Sequence, residues 1–148
     1  MANNRRSRAR QVAAICYQKT ENGVQFLLVK TTGGSWTFPK GQIDPGHTEA
    51  EAAVQEAEEE AGVRGMIEMQ PFSTYVYSKS DADEDEQFEC EVAAYLLEVR
   101  QSHPPMETYR DPRWFGPEAA KAALSLGRKP EYARETARIV DEAVARLA

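Results

Sequence analysis

A chain of 148 residues can bury one core without disulfide or metal staples and is too short for two ordinary domains, so residues 1–148 read as a single domain. With 24 acidic against 18 basic side chains its formal net charge is −6, which excludes a general surface for long nucleic acids or anionic membranes and leaves room only for a local basic patch. No apolar run of membrane-spanning length and no signal-peptide pattern occurs, so a cytoplasmic protein is the expectation.

The chain starts with a basic stretch, "RRSRAR", and residues 1–8 read as a mobile, solvated arm. Val12–Gln18 and Val24–Lys30 are β-compatible runs, and Asn22-Gly23 between them predicts a hairpin. Cys16 and Cys90 each sit in an apolar run, with no CxxC or Cys/His spacing for zinc, and read as reduced core residues. Gly33–Gly46 carries four glycines and two prolines, which predicts a loop with a short extended piece at its centre. There Trp36 and Phe38 alternate like a strand; core packing is one reading and stacking on a substrate ring the other.

Thr48 with Glu51 three residues on is a capping-box pattern, and Gly62 is placed to end the helix, so Glu49–Ala61 is predicted helical. Ala50, Ala53, Val54, Ala57 and Ala61 form its apolar stripe of small side chains. At 100° per residue Glu56, Glu59 and Glu60 share one flank of that stripe and Glu58 lies on the other. Four carboxylates in "EAEEEAG" sit where the helix dipole is already negative. Glu56 and Glu60 add a like-charged i, i+4 pair. Local rules broken without compensation mark a functional place, and a hard divalent cation, Mg²⁺ or alternatively Mn²⁺, would relieve the repulsion through oxygen ligands.

Beyond the helix, "MIEMQPFSTYVYSK" and "QFECEVAAYLLEVR" read as two long strands joined by the acidic turn "SDADEDE". "PRWF" suggests a short strand, "GPEAAKAALS" a short helix, and Pro130–Leu147 a final helix with proline in its first turn. Strands and helices without regular alternation predict an α+β fold, a mixed β-sheet between helices.

The stretch "GQIDPGHTEAEAAVQEAEEEAGV", Gly41 to Val63, resembles the Nudix box of the MutT-like Nudix hydrolases, matching at Gly41, Glu56, Ala57, Glu59, Glu60, Gly62 and Val63. "WTFPKG" before it resembles the corresponding segment of the diphosphoinositol polyphosphate and diadenosine polyphosphate hydrolases. The resemblance implies a Nudix-type α/β/α sandwich and a metal site at Gly41, Glu56, Glu59 and Glu60, with Glu56, Glu59 and Glu60 catalytic. It also implies Mg²⁺-dependent hydrolysis of a pyrophosphate bond in a polyphosphorylated small molecule. The diphosphoinositol and dinucleoside polyphosphate classes come first; nucleoside triphosphate hydrolysis and a catalytically weak binding module are the alternatives.

Such a substrate needs cations to hold its non-reacting phosphates, and Arg10, Lys40, Arg128 and Lys129 are the candidates, although each singly also fits a solvated surface charge. Two positions depart from the box: His47 stands where the family has Glu, and Gln55 where it has Arg. A hydrogen bond between them would restore the tie from loop to helix. His47 suits such a bond better than a hard metal, His103 reads as loop surface, and Glu107 lies where a later loop of the family often brings a further carboxylate. A monomer and a homodimer both remain open.

Overall fold

The computed structural model describes residues 7–80 and 87–148; most of the basic arm and the acidic turn at 81–86 lie outside them. Its spine is β1 (Ser7–Thr20), which runs parallel to β7 (Gln87–Ser102) from Ser7 opposite Phe88 to Tyr17 opposite Glu98. Along its other edge β1 pairs antiparallel first with β4 (Lys40–Gln42) and then, through the Asn22-Gly23 turn, with β2 (Gly23–Lys30). The far side of β2 takes β3 (Trp36–Thr37) and β8 (Arg113–Phe115). β5 (Val63–Ile67) and β6 (Ser73–Ser80) both lie antiparallel to β7.

The stretch predicted as one strand over Met66–Lys79 is thus split. Pro71 cannot donate a ladder hydrogen bond, and the chain detours between Glu68 N–H on Leu96 O and Phe72 N–H on Ala94 O before rejoining β7. The extended piece within Gly33–Gly46 is likewise two short strands, β3 and β4.

Alternation along these strands sends successive side chains to opposite faces. Val12, Ala14, Cys16, Leu27, Val29, Ala93, Tyr95 and Leu97 face α1 (Glu49–Glu56). Ala13, Ile15, Phe26, Leu28, Val92, Ala94 and Leu96 face α2 (Pro117–Ser125) and α3 (Pro130–Leu147). The result is a mixed sheet between helices, an α+β sandwich with a core on each side. Burial of Ile15, Leu96 or Leu97, all without exposed surface, contributes roughly 1.5–3 kcal/mol each. Both cysteines are buried and free.

The stripe of Ala50, Ala53, Ala57 and Ala61 is buried, and Ala52 joins it, so α1 lies directly on the alanines at the centre of the sheet. Thr48 caps the helix with the reciprocal Glu51 bond. Its last turn, Ala57–Ala61, is π-helical, with the Gly62 N–H reaching Ala57 O, and Gly62 closes it in the left-handed conformation at φ +67°. A constant 100° per residue does not anticipate that extra residue in the turn, which re-aims the glutamates it carries.

Candidate active site

Glu56 leaves α1 where β4 passes, and its carboxylate fills the space that a side chain at residue 41 would occupy: a Cβ on Gly41 would lie 2.4 Å from Glu56 Cδ. Glycine at this position is therefore what lets the carboxylate rest against the strand. Glu60, one turn on, is 6% exposed and shares a hydrogen bond with Glu56. The Lys40 backbone N–H donates to Glu60 Oε1 at 3.2 Å, and Arg110 Nη2 stands 3.4 Å from Glu60 Oε2.

Burial first, then the Glu60 carboxylate and the charges of Glu59 and Asp44, push the Glu56 carboxyl up to about 8. Burial also raises Glu60, against the pull of Arg110 and the Lys40 amide. A carboxyl pair held partly out of water beside a third glutamate is a donor set of hard oxygens, and its high cost of ionisation is the property that a divalent cation would remove.

Glu59 stands slightly apart. Gln55 Nε2 donates to Glu59 Oε1 at 3.0 Å, and among the described residues no three His, Cys, Asp or Glu side chains converge as they stand on a single ion position. Glu58, on the opposite flank, pairs with Arg64.

The expected His47–Gln55 tie is replaced by other bonds. Both residues line one groove of about 440 Å³ with Ala50, Glu51, Val54, Glu58, Ile67 and Met69, but no hydrogen bond joins them among the described residues. Spacing explains it: Gln55 lies one turn from Glu59 and takes that partner. His47 sits before the cap, its N–H bonded to Asp44 O at 3.1 Å.

The basic candidates fall into two groups. Lys40 Nζ donates to Tyr77 Oη at 3.1 Å and lies 4.8 Å from the centre of that ring; Tyr77 meets Tyr132 edge to face at 6.0 Å; Arg128 lies 4.4 Å over Tyr132. Tyr77, Tyr132 and Lys129 line a second cavity of about 440 Å³ with Val76, Ser78, Glu89 and Glu131. Lys40, Arg128 and Lys129 thus follow one course from the glutamates. Arg10 is apart from them, tied to Glu49 at 2.8 and 3.1 Å and to Glu91, with Tyr95 donating to the same Glu49.

Phe38 is fully buried, and Trp36 packs edge to face on Phe115 at 5.1 Å, so core packing accounts for both. His103 is exposed, while its backbone N–H donates to Gly62 O at 2.7 Å and brings the following loop over the end of the helix. That contact places Glu107 near Glu60 through Arg110, which lies 3.4 Å from both carboxylates. Arg110, Tyr77 and Tyr132 were not singled out by sequence reasoning. Arg110 carried one signal, its i, i+3 spacing from Glu107 between prolines; the two tyrosines carried none that separates them from core aromatics.

The chain aligns with "Nudix hydrolase 16, mitochondrial" of Arabidopsis thaliana at 38% identity over 103 residues, covering 66% of this chain and 56% of that protein. It aligns with the bis(5'-nucleosyl)-tetraphosphatase (asymmetrical) of Rattus norvegicus at 32% identity, covering 63% of this chain and 65% of the relative. The matched segments thus span just over half to about two thirds of these relatives' lengths. In fold the chain is similar to an Ap4A hydrolase from C. elegans (TM-score 0.65, 22% identity, 95% and 98% of the two chains). It is likewise similar to the NUDIX domain of Shewanella oneidensis NrtR, solved with ADP ribose (TM-score 0.66, 18% identity, 97% and 90%). The NUDIX domain family matches residues 8–137, from the first strand into the first half of the last helix, and this protein belongs to that family.

Proposed function

We propose that this protein is a divalent-metal-dependent pyrophosphohydrolase that cleaves a phosphoric anhydride bond in a polyphosphorylated small molecule. The observation that carries the reading is the Glu56–Glu60 pair over Gly41, one carboxylate buried and the other partly so, kept together where neither ionises easily. Glu56, Glu59 and Glu60 would hold Mg²⁺, with Mn²⁺ as a substitute, and a cation there supplies Lewis acidity toward the phosphoryl oxygens. The Lys40 amide and Arg110 fix the position of Glu60, and Gln55 fixes that of Glu59.

Lys40, Arg128 and Lys129 would hold the phosphates that do not react, since they follow the course from the glutamates to the Tyr77–Tyr132 cavity. The partly exposed Tyr77 ring beside these cations suits a ligand carrying a base as well as phosphates, which favours the dinucleoside polyphosphate class over the diphosphoinositol class. The name of the rat relative supports the same choice. Arg10, engaged by Glu49 and Glu91, supports the frame of the site. No helix among the described residues is long and apolar enough to cross a membrane. Cytoplasmic residence belongs to this proposal, although the names of three plant relatives place those proteins in mitochondria.

The test is product release from a diadenosine tetraphosphate, a diphosphoinositol polyphosphate, a nucleoside triphosphate and ADP-ribose, each with Mg²⁺, with Mn²⁺ and with EDTA. The expected result is metal-dependent turnover that is highest on the dinucleoside substrate. Binding of these ligands without turnover under any metal would favour a non-catalytic module instead.

A further inference from the structure

We propose that Arg110 is a resident counter-cation of the glutamate site, a positioning residue that holds Glu60 and yields it to an incoming divalent cation. The inference rests on the reading of Glu56, Glu59 and Glu60 as metal ligands.

The geometry is that of a guanidinium divided between partners. Arg110 Nη2 lies 3.4 Å from Glu60 Oε2 and 3.4 Å from each carboxylate oxygen of Glu107. Charge-assisted hydrogen bonds are normally about 2.7–2.9 Å long, and an arginine facing one carboxylate usually makes two of them side by side. Here one nitrogen is shared among three oxygens at long range, while Nε is buried with no hydrogen-bond partner among the described residues. The side chain is only 14% exposed, so water does little to make up the difference. Such an arrangement is a compromise, and a better one is at hand: a full fork onto Glu107.

The loop does not depend on Glu60 for its place. Arg110 Nη1 donates to Lys30 O at 3.1 Å, and Lys30 Nζ pairs with Asp111 at 3.6 Å. Asp111 adopts φ +44°, a strained conformation for a residue other than glycine, which its neighbours must hold. Tyr109 donates to Glu107 Oε2 at 2.7 Å and keeps that carboxylate beside the guanidinium. The guanidinium can therefore change carboxylates while the loop stays anchored to β2. A dication on Glu60 repels Arg110 at short range, and Glu107 receives it. Arg110 thus opposes cation binding, and Glu107 promotes it by accepting the arginine.

The two residues act with opposite sign, and Mn²⁺ titration of the full chain without substrate, followed by calorimetry and by the spin resonance of free Mn²⁺, reads this directly. R110Q should bind Mn²⁺ more tightly, on the order of tenfold, from removal of one positive charge close to the ion. R110K, which keeps the charge, should stay near wild type. E107Q should bind more weakly than wild type, and in the R110Q background it should change little. Should R110Q fail to fold, R110M keeps the buried stem and carries the same test. Equal or weaker Mn²⁺ binding in the neutral variants would overturn the proposal, as would the same loss from E107Q in both backgrounds. Absence of saturable Mn²⁺ binding in the wild-type chain would remove the metal site itself; a normal wild-type isotherm with unchanged variants would remove only the role of Arg110.

Discussion

Replacing Glu56 with glutamine should make the metal-free protein more stable at alkaline pH and no more stable in acid. Glutamine copies the protonated carboxyl in shape and can still donate to Glu60. The Glu56 carboxyl titrates at about 8 in the folded chain against 4.5 for an ordinary glutamate, so the folded state holds the proton more tightly than the unfolded one. Stability therefore falls as pH rises from about 4.5 through about 8, and is flat on either side. At about 1.4 kcal/mol per pH unit the whole window has a ceiling of about 5 kcal/mol, and because the side chain is only half-buried, solvent screening reduces this to about 2 kcal/mol. For a chain of this size that corresponds to roughly 5 °C in Tm. Thermal unfolding of wild type and Glu56→Gln in EDTA between pH 4.5 and 8.5 measures it. The lowered carboxylates Glu49, Glu51, Glu58 and Glu135 work in the opposite direction but are common to both proteins, so the difference curve reports Glu56 together with the part of the Glu60 titration that its hydrogen bond to Glu56 controls. The two curves should meet near pH 4.5 and part by about 2 kcal/mol at pH 8.5. A difference that does not vary with pH, or a variant less stable at pH 8.5, would refute the reasoning.

Gly41→Ala should swing the Glu56 carboxylate off the strand, because the new Cβ meets the movable end of that side chain at 2.4 Å, and turnover should fall at least about tenfold with little loss of Tm; a steady-state assay beside a melting curve checks both. Glu59→Gln and Glu60→Gln should each abolish most turnover while the fold survives, and wild-type rates in both would sink the metal assignment. Charge reversal at Lys40 or Arg128 should raise KM more for substrates with more phosphates, whereas a uniform effect across chain lengths would mark them as general surface charges. Since His47 and Gln55 are not bonded to each other, His47→Glu and Gln55→Arg should change kcat/KM additively; a double mutant that departs from the sum by more than about 0.5 kcal/mol would show a coupling absent from the geometry.

The extent of the helix that carries the site was legible in the sequence, since its cap, its small-residue stripe and its terminal glycine are local signals that the physics of one helix obeys. The same holds for the misplaced glutamates, whose charge at the wrong helix end needs no tertiary knowledge to be noticed. The π-helical last turn was not legible, because a hydrogen bond displaced by one residue leaves the composition unchanged. Nor was the fate of Gln55, where two acceptors were compatible with the sequence and the i, i+4 neighbour Glu59 won over His47.

What the sequence by itself determined was which residues form elements and which side chains violate ordinary placement, because capping, periodicity and charge act over a few positions. Distance between segments was decided only by the tertiary structure. The parallel pairing of β1 with β7 brings together chain regions some eighty residues apart and sets Arg10 between Glu49 and Glu91, apart from Lys40, Arg128 and Lys129. The Gly62–His103 hydrogen bond likewise folds a distant loop over the helix end and sets Arg110 between Glu60 and Glu107. A charged side chain takes its role from the counter-charges within a few ångströms of it, and packing, not local propensity, chooses which distant segments supply them.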